Sequence, residues 1–367
     1  MIVKSVSLTN YRNYIEQTIS FDKGINIIHG KNGQGKTNIL ESIFICSAAK
    51  SPRTSNYKEL INQDTKDNYF VINMEYTYKD TDNYIKIKYD NKEKTFIYND
   101  ICLEKVGELM TRFSSVLFTP EDLYIIKGGP DYRRKFIDML ICQIDKGYFY
   151  LLQKYNRLIK QKNASLKVEA DSSEKTAYIH VLNEYLADLG TKVINKRLEF
   201  LHEIKIRSNK IHQSISSHLE EIDLRYISVD GVTEDVFEKE TLKRKLDNYI
   251  ERESIRKTCL VGPHRDDIEI CINGKDARSF GSQGQIRTAV LSLKLSQADI
   301  MEQKNDAKPV ILLDDVLSEL DISRQRAIVE KFHNNQIIIT CTDKEKILEN
   351  RNDNIRYIFV QKGKIIV

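Results

Sequence analysis

The chain has 367 residues, of which 41% are hydrophobic and 30% are charged, and a formal net charge of +4. This length exceeds what one ordinary core requires and predicts two or three packed units. No apolar run approaches the roughly 20 residues of a membrane-spanning helix, and so small a net charge does not by itself indicate a nucleic-acid-binding protein.

The six cysteines are scattered and include no Cys-x-x-Cys pair. Disulfide frameworks and zinc sites need cysteines at regular or ligand spacing, so we expect free thiols. Free thiols are typical of a reducing cytoplasm, and the strand-like N-terminus does not have the pattern of a signal peptide. We therefore expect a cytoplasmic protein with no membrane partner.

The first 37 residues predict strands that lead into a phosphate-binding loop. Apolar and polar residues alternate from Ile2 to Leu8, and the run Ile25–His29 leads directly into a glycine-rich loop. Residues 38–44 then have helical spacing. Strand, loop and helix in this order are the context of a Walker A motif. The loop consists of Gly30, Lys31, Asn32, Gly33, Gln34, Gly35, Lys36 and Thr37.

Each residue type in this loop has a use in nucleotide binding. The glycines allow backbone N–H groups to face phosphate oxygens, and the helix N-terminus adds the positive end of its dipole. Lys36 would reach the β- and γ-phosphates, and the Thr37 hydroxyl would bind Mg²⁺. The sequence therefore predicts ATP and Mg²⁺ as cofactors, with Lys36 both a binding and a catalytic residue.

The rest of the chain divides into three segments that differ in hydrophobic pattern and proline content. Residues 69–100 alternate in the manner of an antiparallel strand meander. Residues 130–258 contain no proline after Pro130, and apolar residues from Val181 to Ile194 recur at three- and four-residue steps, which predicts a helical hairpin or short coiled coil. After residue 258 an αβ pattern returns, with a helix near 284–303 and strands at 310–313 and 337–339.

The beginning of the helical segment is basic. From Arg133 to Lys167 there are nine lysines and arginines and two acidic residues. Such a run is either a solvated helix face or a surface that contacts phosphates. Arg133 and Arg134 could equally well be in surface ion pairs. The candidates for DNA contact are Arg133, Arg134, Lys154, Arg157 and Lys160.

His264 lies in a Pro-His-Arg-Asp-Asp sequence that could be taken for a metal or acid–base cluster. It has no second histidine or cysteine at ligand spacing, so a structural or interface role is favoured. Arg265 beside it is a better candidate for a nucleic-acid or interdomain contact.

Two further motifs complete the nucleotide site. The buried strand 310–313 ends in Asp314 and Asp315, and beside a Walker A loop this pattern indicates a Walker B element. Asp314 suits the Mg²⁺ shell, and Asp315 suits the orientation or deprotonation of the attacking water. Upstream, Ser282, Gln283 and Gly284 begin a long helix, where Ser282 fits an N-cap and a second phosphate site could form.

These three motifs together resemble the ABC-type ATPase heads of SMC-like chromosome proteins, and more closely the RecF family of bacterial recombination and repair proteins. The segments NYRNY (10–14), FTPEDLYIIKGGPDYRRKFID (118–138) and LVGPHRDD (260–267) are also similar to that family and occur in the same order. The likeness covers nearly the whole chain.

The resemblance implies an α/β fold: a P-loop ABC-type ATPase head, with a mixed sheet, flanking helices and an antiparallel β meander, plus an α-helical insertion. We expect the discontinuous head at 1–129 and 259–367 and the inserted lobe at 130–258. The resemblance also implies that residues 282–284 complete the ATP site of a partner subunit and that residues 318–321 form a D-loop at the dimer interface. Arg12 and Asn13 would contact the adenine or α-phosphate side.

Three positions depart from the ABC pattern. Asp315 stands where a catalytic glutamate is usual, and its shorter side chain predicts slow hydrolysis, so we expect a weak DNA-stimulated ATPase that acts mainly as a switch. Glu121 and Asp122 occupy the Q-loop position, and residues 340–343 contain no switch histidine.

The implied biology is ATP-dependent dimerisation on single-stranded, gapped or junction DNA, recombinase loading with RecO and RecR, replication restart and SOS induction. The alternative is an ATPase subunit of a transporter, or another SMC-like chromosome protein. A transporter subunit would need the missing glutamine and histidine, and an SMC protein would need far longer coiled coils. A nuclease would need a second carboxylate cluster.

Overall fold

A computed structural model describes residues 1–168, 173–229, 231–233, 236–342 and 355–366 of the chain. The chain forms two compact units. The first comprises Met1–Asp122 with Gln297–Val367, and the second comprises Leu123–Ser296. No helix among the described residues is both long and apolar enough to cross a bilayer.

The first unit begins with strands and one long helix. Short turns with left-handed residues, such as Asn91 and Lys92, join the antiparallel strands. The elements are β1 (Ile2–Tyr11), β2 (Tyr14–Ser20), β3 (Ile25–His29), α1 (Lys36–Ala48), β4 (Tyr69–Tyr78), β5 (Thr81–Asp90), β6 (Glu93–Tyr98), β7 (Ile101–Cys102), α2 (Val106–Met110) and β8 (Ser115–Phe118).

The second unit is mostly helical and also contains a small sheet. Its elements are α3 (Tyr124–Lys127), α4 (Pro130–Ile144), α5 (Lys146–Lys167), α6 (Ser173–Ile215), β9 (Ile222–Ser228), β10 (Gly231–Thr233), α7 (Lys239–Asn248), α8 (Ile250–Arg256), β11 (Asp267–Ile272), β12 (Lys275–Asp276), α9 (Ala277–Phe280) and α10 (Gln283–Asn305). The boundary between the two units falls within α10.

The first unit resumes with the end of α10 and closes with the remaining strands of its second sheet. These elements are β13 (Val310–Asp314), α11 (Ile322–Lys331), β14 (Ile337–Cys341), β15 (Ile355–Gln361) and β16 (Lys364–Ile366).

The strands of the first unit form an antiparallel sheet of order β2-β1-β4-β5-β6-β7 and a mixed sheet of order β16-β15-β3-β14-β13-β8. In the mixed sheet β15, β3, β14, β13 and β8 are parallel, and β16 is antiparallel. Every residue of β13 and β14 is buried, which explains why residues 310–313 and 337–339 are continuously apolar instead of alternating. The carboxyl ends of β3, β13 and β14 therefore meet at one edge of the sheet.

The predicted fold class is confirmed. The predicted strands at 25–29, 310–313 and 337–339, the meander at 69–100 and the helix near 284–303 all form. In the second unit, α5 and α6 form the predicted helical hairpin.

The predicted α-helical lobe at 130–258 also contains two strands, β9 and β10. Burial in β9 alternates residue by residue, so its period of two was a signal that could have been used. β9 pairs with β11, which lies after residue 258. Residues 259–296 thus group with the second unit, and the domain boundaries at 130 and 258 remain a prediction.

Candidate functional site

The loop between β3 and α1 has a backbone that only glycine fits at two positions. Gly30 and Gly35 have φ values of +149° and +111°, in the region that favours glycine. A Cβ on Gly30 would lie 2.3 Å from the Val360 carbonyl oxygen, and one on Gly35 would lie 2.4 Å from Nδ2 of Asn13. The loop is therefore enclosed by neighbouring segments as well as shaped by its own residues.

The N-terminus of α1 is open to an anion. Its N-cap, Gly35, provides no side-chain hydrogen bond, and the first turn contains no acidic residue. The first N–H groups of a helix lack partners within the helix, and the helix dipole places partial positive charge there. A phosphate group is the kind of ligand that satisfies both conditions.

Lys36 lies inside the loop. Its side chain is buried, and Nζ donates hydrogen bonds to the carbonyl oxygens of Gly30 at 2.6 Å and Lys31 at 3.0 Å. Burial lowers the pKa of Lys36 from its usual value, and the nearby carboxylate of Asp315 opposes that shift. The ammonium is thus held within the loop by two neutral acceptors, which anionic oxygens can replace with a stronger interaction.

Thr37 and Asp314 come together as the sequence predicts. The Thr37 hydroxyl donates to Oδ1 of Asp314 at 2.8 Å, and the Thr340 hydroxyl donates to the same oxygen at 2.7 Å. Burial raises the pKa of Asp314, and these two hydrogen bonds oppose the rise, while the carboxylates of Glu121 and Asp315 add to it. A cation placed beside Asp314 would relieve the same electrostatic cost.

Asp315 follows β13 in a left-handed conformation, with φ of 54°. Its N–H donates to the hydroxyl oxygen of Thr340 at 3.0 Å and to the Thr340 carbonyl oxygen at 3.3 Å. The Ser318 hydroxyl donates to its carbonyl oxygen at 2.7 Å. Hydrogen bonds on both sides of the residue thus hold a conformation that costs energy for any residue with a Cβ.

Two turns hold Gln34 at the centre of the phosphate loop. On one side, Nδ2 of Asn13 donates to the Gln34 carbonyl oxygen at 2.9 Å. On the other, the N–H of Gly363 donates to that carbonyl at 3.2 Å and the N–H of Lys362 donates to Oε1 of Gln34 at 2.6 Å. Tyr14 adds a bond from its hydroxyl to the Gly35 carbonyl at 3.1 Å. Asn13 therefore lies beside the loop and contacts its backbone, and its predicted contact with the nucleotide remains a prediction.

Arg12 is bound to a buried glutamate on α1. Its Nε and one terminal nitrogen donate to the two carboxylate oxygens of Glu41 at 2.8 and 2.7 Å. Burial disfavours the Glu41 carboxylate, but hydrogen bonds from Arg12 and Ser51 outweigh it and lower the pKa of Glu41. Sequence reasoning missed Glu41, which no motif marks. A second arginine, Arg53, lies 3.8 Å from the Glu41 carboxylate. A contact of Arg12 with the nucleotide remains a prediction.

The Q-loop and switch positions of the ABC pattern hold residues 121–122 and 340–343 in this chain. The N–H of Thr119 donates to Oδ2 of Asp122 at 2.8 Å, so Asp122 caps its own turn. Glu121 is the exposed acid of this pair. At the switch position Thr340 and Cys341 end β14, and Asp343 lies outside the described residues. No group of three or more His, Cys, Asp or Glu suited to a metal occurs in the described part of the chain.

The segment that begins α10 presents polar residues to solvent. Ser282 and Gln283 are exposed. The N–H of Gln285 donates to the Ser282 hydroxyl at 3.2 Å, and the Ser282 N–H donates to Oε1 of Gln285 at 2.9 Å. This reciprocal pair is a capping box, which confirms Ser282 as an N-cap. Gly284 follows in the first turn of the helix.

Two of the candidate DNA contacts have structural partners instead. Arg133 is 5% exposed and makes a bidentate pair with Asp267 at 2.7 and 2.9 Å. Arg134 donates to the Asp266 carbonyl oxygen at 2.5 Å and pairs with Asp131. The expectation that Arg133 lies on a DNA-facing surface is wrong, because its charge is buried and compensated, and Arg134 is largely covered as well.

The other three candidates share the exposed side of α5. Lys154, Arg157 and Lys160 are all exposed, and α5 contains no acidic residue. In the part of the chain that the structure describes, none of the three is in an ion pair. Lys162 on the same helix differs, because it is fully buried and lies 2.6 Å from the carboxylate of Glu253.

His264 belongs to a buried polar network. Its Nδ1 lies 2.8 Å from the Tyr155 hydroxyl, and burial lowers the pKa of His264 to about 4. Close by, Arg197 makes a bidentate pair with Asp138 at 2.9 Å and donates to the Pro263 carbonyl oxygen at 2.6 Å. The structural role expected for His264 agrees with this network. Arg265 remains exposed, with Nε bonded to the Cys259 carbonyl oxygen at 3.1 Å.

Comparison with known proteins places these features in a family context. The chain matches the RecF/RecN/SMC N terminal domain family over residues 2–366. The DNA replication and repair protein RecF of Acetivibrio thermocellus is 40% identical over 370 residues, which cover 99% of each chain. The protein of the same name from Clostridium kluyveri is 41% identical, over 100% of this chain and 99% of its own.

Solved structures give the same result. The recombination mediator protein RecF of the RecFOR pathway, solved with ATPrS, matches with a TM-score of 0.89 and 35% identity, over 99% of this chain and 97% of its own. The corresponding RecF-ATP structure matches with a TM-score of 0.89 and 34% identity. An Smc head bound to the C-winged helix domain of ScpA shares 15% identity at a TM-score of 0.57, which is a likeness of fold alone.

Proposed function

This chain belongs to the RecF family of DNA replication and repair proteins, and from that premise we propose that it binds DNA as an ATP-dependent dimer. The observation that carries the proposal is the glycine loop that ends at an uncapped helix N-terminus beside the Thr37–Asp314 pair. Backbone donors, a lysine, a hydroxyl and a carboxylate are the groups that hold a magnesium-bound triphosphate.

Each of these residues has a defined task in the proposal. The backbone of residues 30–37 surrounds the phosphates, and Lys36 exchanges its two carbonyl partners for phosphate oxygens. Thr37 and Asp314 provide oxygens for Mg²⁺, an ion that takes few protein ligands and keeps waters or phosphates as the others. Asp315 orients the attacking water, and its short side chain makes hydrolysis slow. The RecF relative solved with ATP supports ATP as the ligand of this loop.

The proposed dimer uses the exposed start of α10. In one subunit, Ser282, Gln283 and Gly284 would complete the nucleotide site of the other. Two exposed residues at a helix N-terminus are suited to such a contact, because their N–H groups and hydroxyl can reach phosphate oxygens of a ligand held elsewhere. ATP then stabilises the dimer because it binds the closed state with contacts that the monomer lacks.

Ser282→Arg tests the dimer directly. The larger charged side chain would occupy the position of the partner's nucleotide, so we expect ATP-induced dimerisation to be lost. Binding of ATP by the monomer should stay within about threefold, since Ser282 does not contact the loop of its own chain in this proposal. Light scattering on a sizing column, with and without ATP, measures the first quantity, and a fluorescent ATP analogue measures the second.

Ser20→Arg is the matched control. Ser20 is an exposed serine on β2, and the same substitution there should leave dimerisation intact. Thermal unfolding of both variants checks for the loss of the helix cap, which costs about 1 kcal/mol. Dimers of Ser282→Arg that form as readily as those of the wild type would exclude the composite site.

DNA binding is proposed to use Lys154, Arg157 and Lys160. Three exposed cations on a helix with no acidic residue produce a positive potential that attracts the phosphate backbone and does not read base sequence. Single-stranded and gapped DNA and junctions are the proposed substrates. Replication restart, SOS induction and recombinase loading with RecR and RecO, in the cytoplasm, are the proposed context.

Replacing these three residues with glutamine should reduce the salt dependence of DNA binding. Each phosphate contact that is lost lowers the slope of log K against log salt by about 0.7–0.9, so the triple variant should lose about two. Fluorescence anisotropy of a labelled oligonucleotide across a salt series measures the slope.

The control removes the same number of charges elsewhere. Lys192, Lys239 and Lys243 each pair with an acidic side chain, Lys192 with Asp188 and the other two with Glu184. Because these charges are already compensated, their replacement by glutamine should change the slope much less. Equal slopes for the α5 variant and the wild type would place the DNA surface elsewhere.

The transporter alternative is set aside because the chain belongs to the RecF family. An SMC-type condensing protein is likewise not proposed, because the hairpin of α5 and α6 is far shorter than the coiled coils that such a protein needs.

A further inference from the structure

We propose that Thr340 is a positioning residue of the nucleotide site, whose single hydroxyl fixes Asp314 and Asp315 relative to each other. This inference rests on the proposed function, since it concerns how the proposed Mg²⁺ ligand and the proposed water-orienting carboxylate are held. The sequence marks Thr340 only as part of the segment 340–343, where the switch histidine of the ABC pattern is missing, and assigns it no role.

The hydroxyl of Thr340 acts in two directions. It donates its proton to Oδ1 of Asp314 at 2.7 Å and accepts the N–H of Asp315 at 3.0 Å. A hydroxyl has one proton and two acceptor positions, so these two contacts are compatible only in this arrangement. Thr340 is 1% exposed, which means that water cannot take over either contact without a change in structure.

The strand register makes this arrangement specific to position 340. Asp314 and Thr340 are directly paired residues of the parallel strands β13 and β14. A side chain one position away along β14 would point to the other face of the sheet. The ends of β13 and β14 therefore bring this hydroxyl, and not its neighbours, against the two carboxylate-bearing residues.

The effect on Asp314 is to orient the carboxylate. Both Thr37 and Thr340 donate to Oδ1, which turns this oxygen toward the two hydroxyls. Among the described residues no hydrogen bond is made to Oδ2, so that oxygen is available to a cation. Hydrogen-bond partners of ligand carboxylates commonly fix their orientation in this way.

The effect on Asp315 is to hold its backbone. The residue has φ of 54°, a conformation that needs support in any residue with a Cβ. The Thr340 hydroxyl accepts its N–H, while the Ser318 hydroxyl donates to its carbonyl oxygen at 2.7 Å. Among the described residues the Ser318 hydroxyl bonds to Asp315 and not to Asp314, whereas the Thr340 hydroxyl contacts both aspartates. This difference separates the two residues experimentally.

The test compares Thr340→Val, which keeps the shape and loses the hydroxyl, with Thr340→Ser, which keeps the hydroxyl. The probes are a fluorescent ATP analogue in EDTA and the same analogue titrated with Mg²⁺. Thr340→Val should bind the analogue in EDTA as the wild type does, because among the described residues no hydrogen bond joins the Thr340 hydroxyl to residues 30–37. Its Mg²⁺ requirement should rise about 10- to 100-fold, the usual cost of losing such a partner.

Thr340→Ser should need no more than about threefold extra Mg²⁺, because its hydroxyl can make both contacts. Ser318→Ala should keep the wild-type Mg²⁺ requirement but lower the rate of ATP hydrolysis measured in a single turnover. Thr191→Val is the control for replacing a buried threonine, since Thr191 is 9% exposed and lies on α6 in the second unit. Thr340→Ala serves in place of the valine variant if the latter does not fold.

The outcomes separate this inference from the proposed function. If the wild-type protein binds the analogue and responds to Mg²⁺, but Thr340→Val has the same Mg²⁺ requirement, the positioning assignment is wrong and the nucleotide site stands. Equal losses in the valine and serine variants would also overturn it, since the hydroxyl would then not be responsible. A wild-type protein that does not bind the analogue at all would instead overturn the proposed function.

Discussion

Lys36→Ala is expected to weaken ATP binding on the order of 100-fold, because a charge-assisted contact to the phosphates is lost. The ammonium lies inside the loop, 2.6 Å from the Gly30 carbonyl oxygen, so no rearrangement of the backbone is needed for it to reach a ligand there. ATP-induced dimerisation should disappear with it. Isothermal titration calorimetry with ATP and Mg²⁺ measures the affinity.

The control for this prediction is Lys23→Ala. Lys23 is exposed in the turn before β3, at the opposite end of that strand from the loop. The Lys23→Ala substitution removes one positive charge from the same unit and should change ATP affinity by less than about twofold. If the two alanine variants bind ATP equally well, the phosphate-loop assignment fails.

Arg197→Met is expected to lower the free energy of unfolding by about 3–5 kcal/mol, the usual cost of breaking a buried ion pair by removing one partner. Arg197 is 2% exposed and donates to Asp138, to the Pro263 carbonyl oxygen and, at 3.2 Å, to the Tyr226 hydroxyl. Its loss leaves the Asp138 carboxylate without its cationic partner and the Pro263 carbonyl oxygen without the Arg197 donor. Urea unfolding followed by circular dichroism measures the change.

Two further variants sharpen this result. Asp138→Leu combined with Arg197→Met should recover part of the loss, because no uncompensated charge remains. Lys192→Met, on the same helix, breaks only the exposed pair with Asp188 and should cost less than about 1 kcal/mol. An Arg197 variant as stable as the Lys192 variant would show that the network contributes little to folding.

The strand, glycine-rich loop and helix around residues 30–37 were predictable because the signals for them are adjacent in the sequence. A strand followed by three spaced glycines, a lysine and a threonine is the pattern of a Walker A motif. Asp314 was predictable for a similar reason, since parallel strands end at a common edge. The contact between Thr37 and Asp314, 277 residues apart, then follows from the fold alone.

What sequence reasoning missed depends on long-range partners. Thr340 lies at the switch position but is not a histidine, and its contacts with Asp314 and Asp315 follow from the register of β13 and β14. Arg133 lies in a basic run, but its partner Asp267 lies 134 residues away, so its burial could not be inferred from its neighbours. The residues of β9 were assigned to the predicted helical lobe at 130–258, because β11, the strand with which β9 pairs, lies after residue 258.

The position of β3 has a consequence for how the protein is made. The neighbours of β3 in the sheet are β14 and β15, which follow it by more than 300 residues. At ordinary rates of translation the interval between them is on the order of tens of seconds. During that time the nascent phosphate loop lacks both flanking strands and the turn at Lys362 and Gly363 that holds Gln34. We therefore expect nucleotide to bind only after β14, β15 and this turn have been translated, so that it does not guide the folding of the earlier part of the chain.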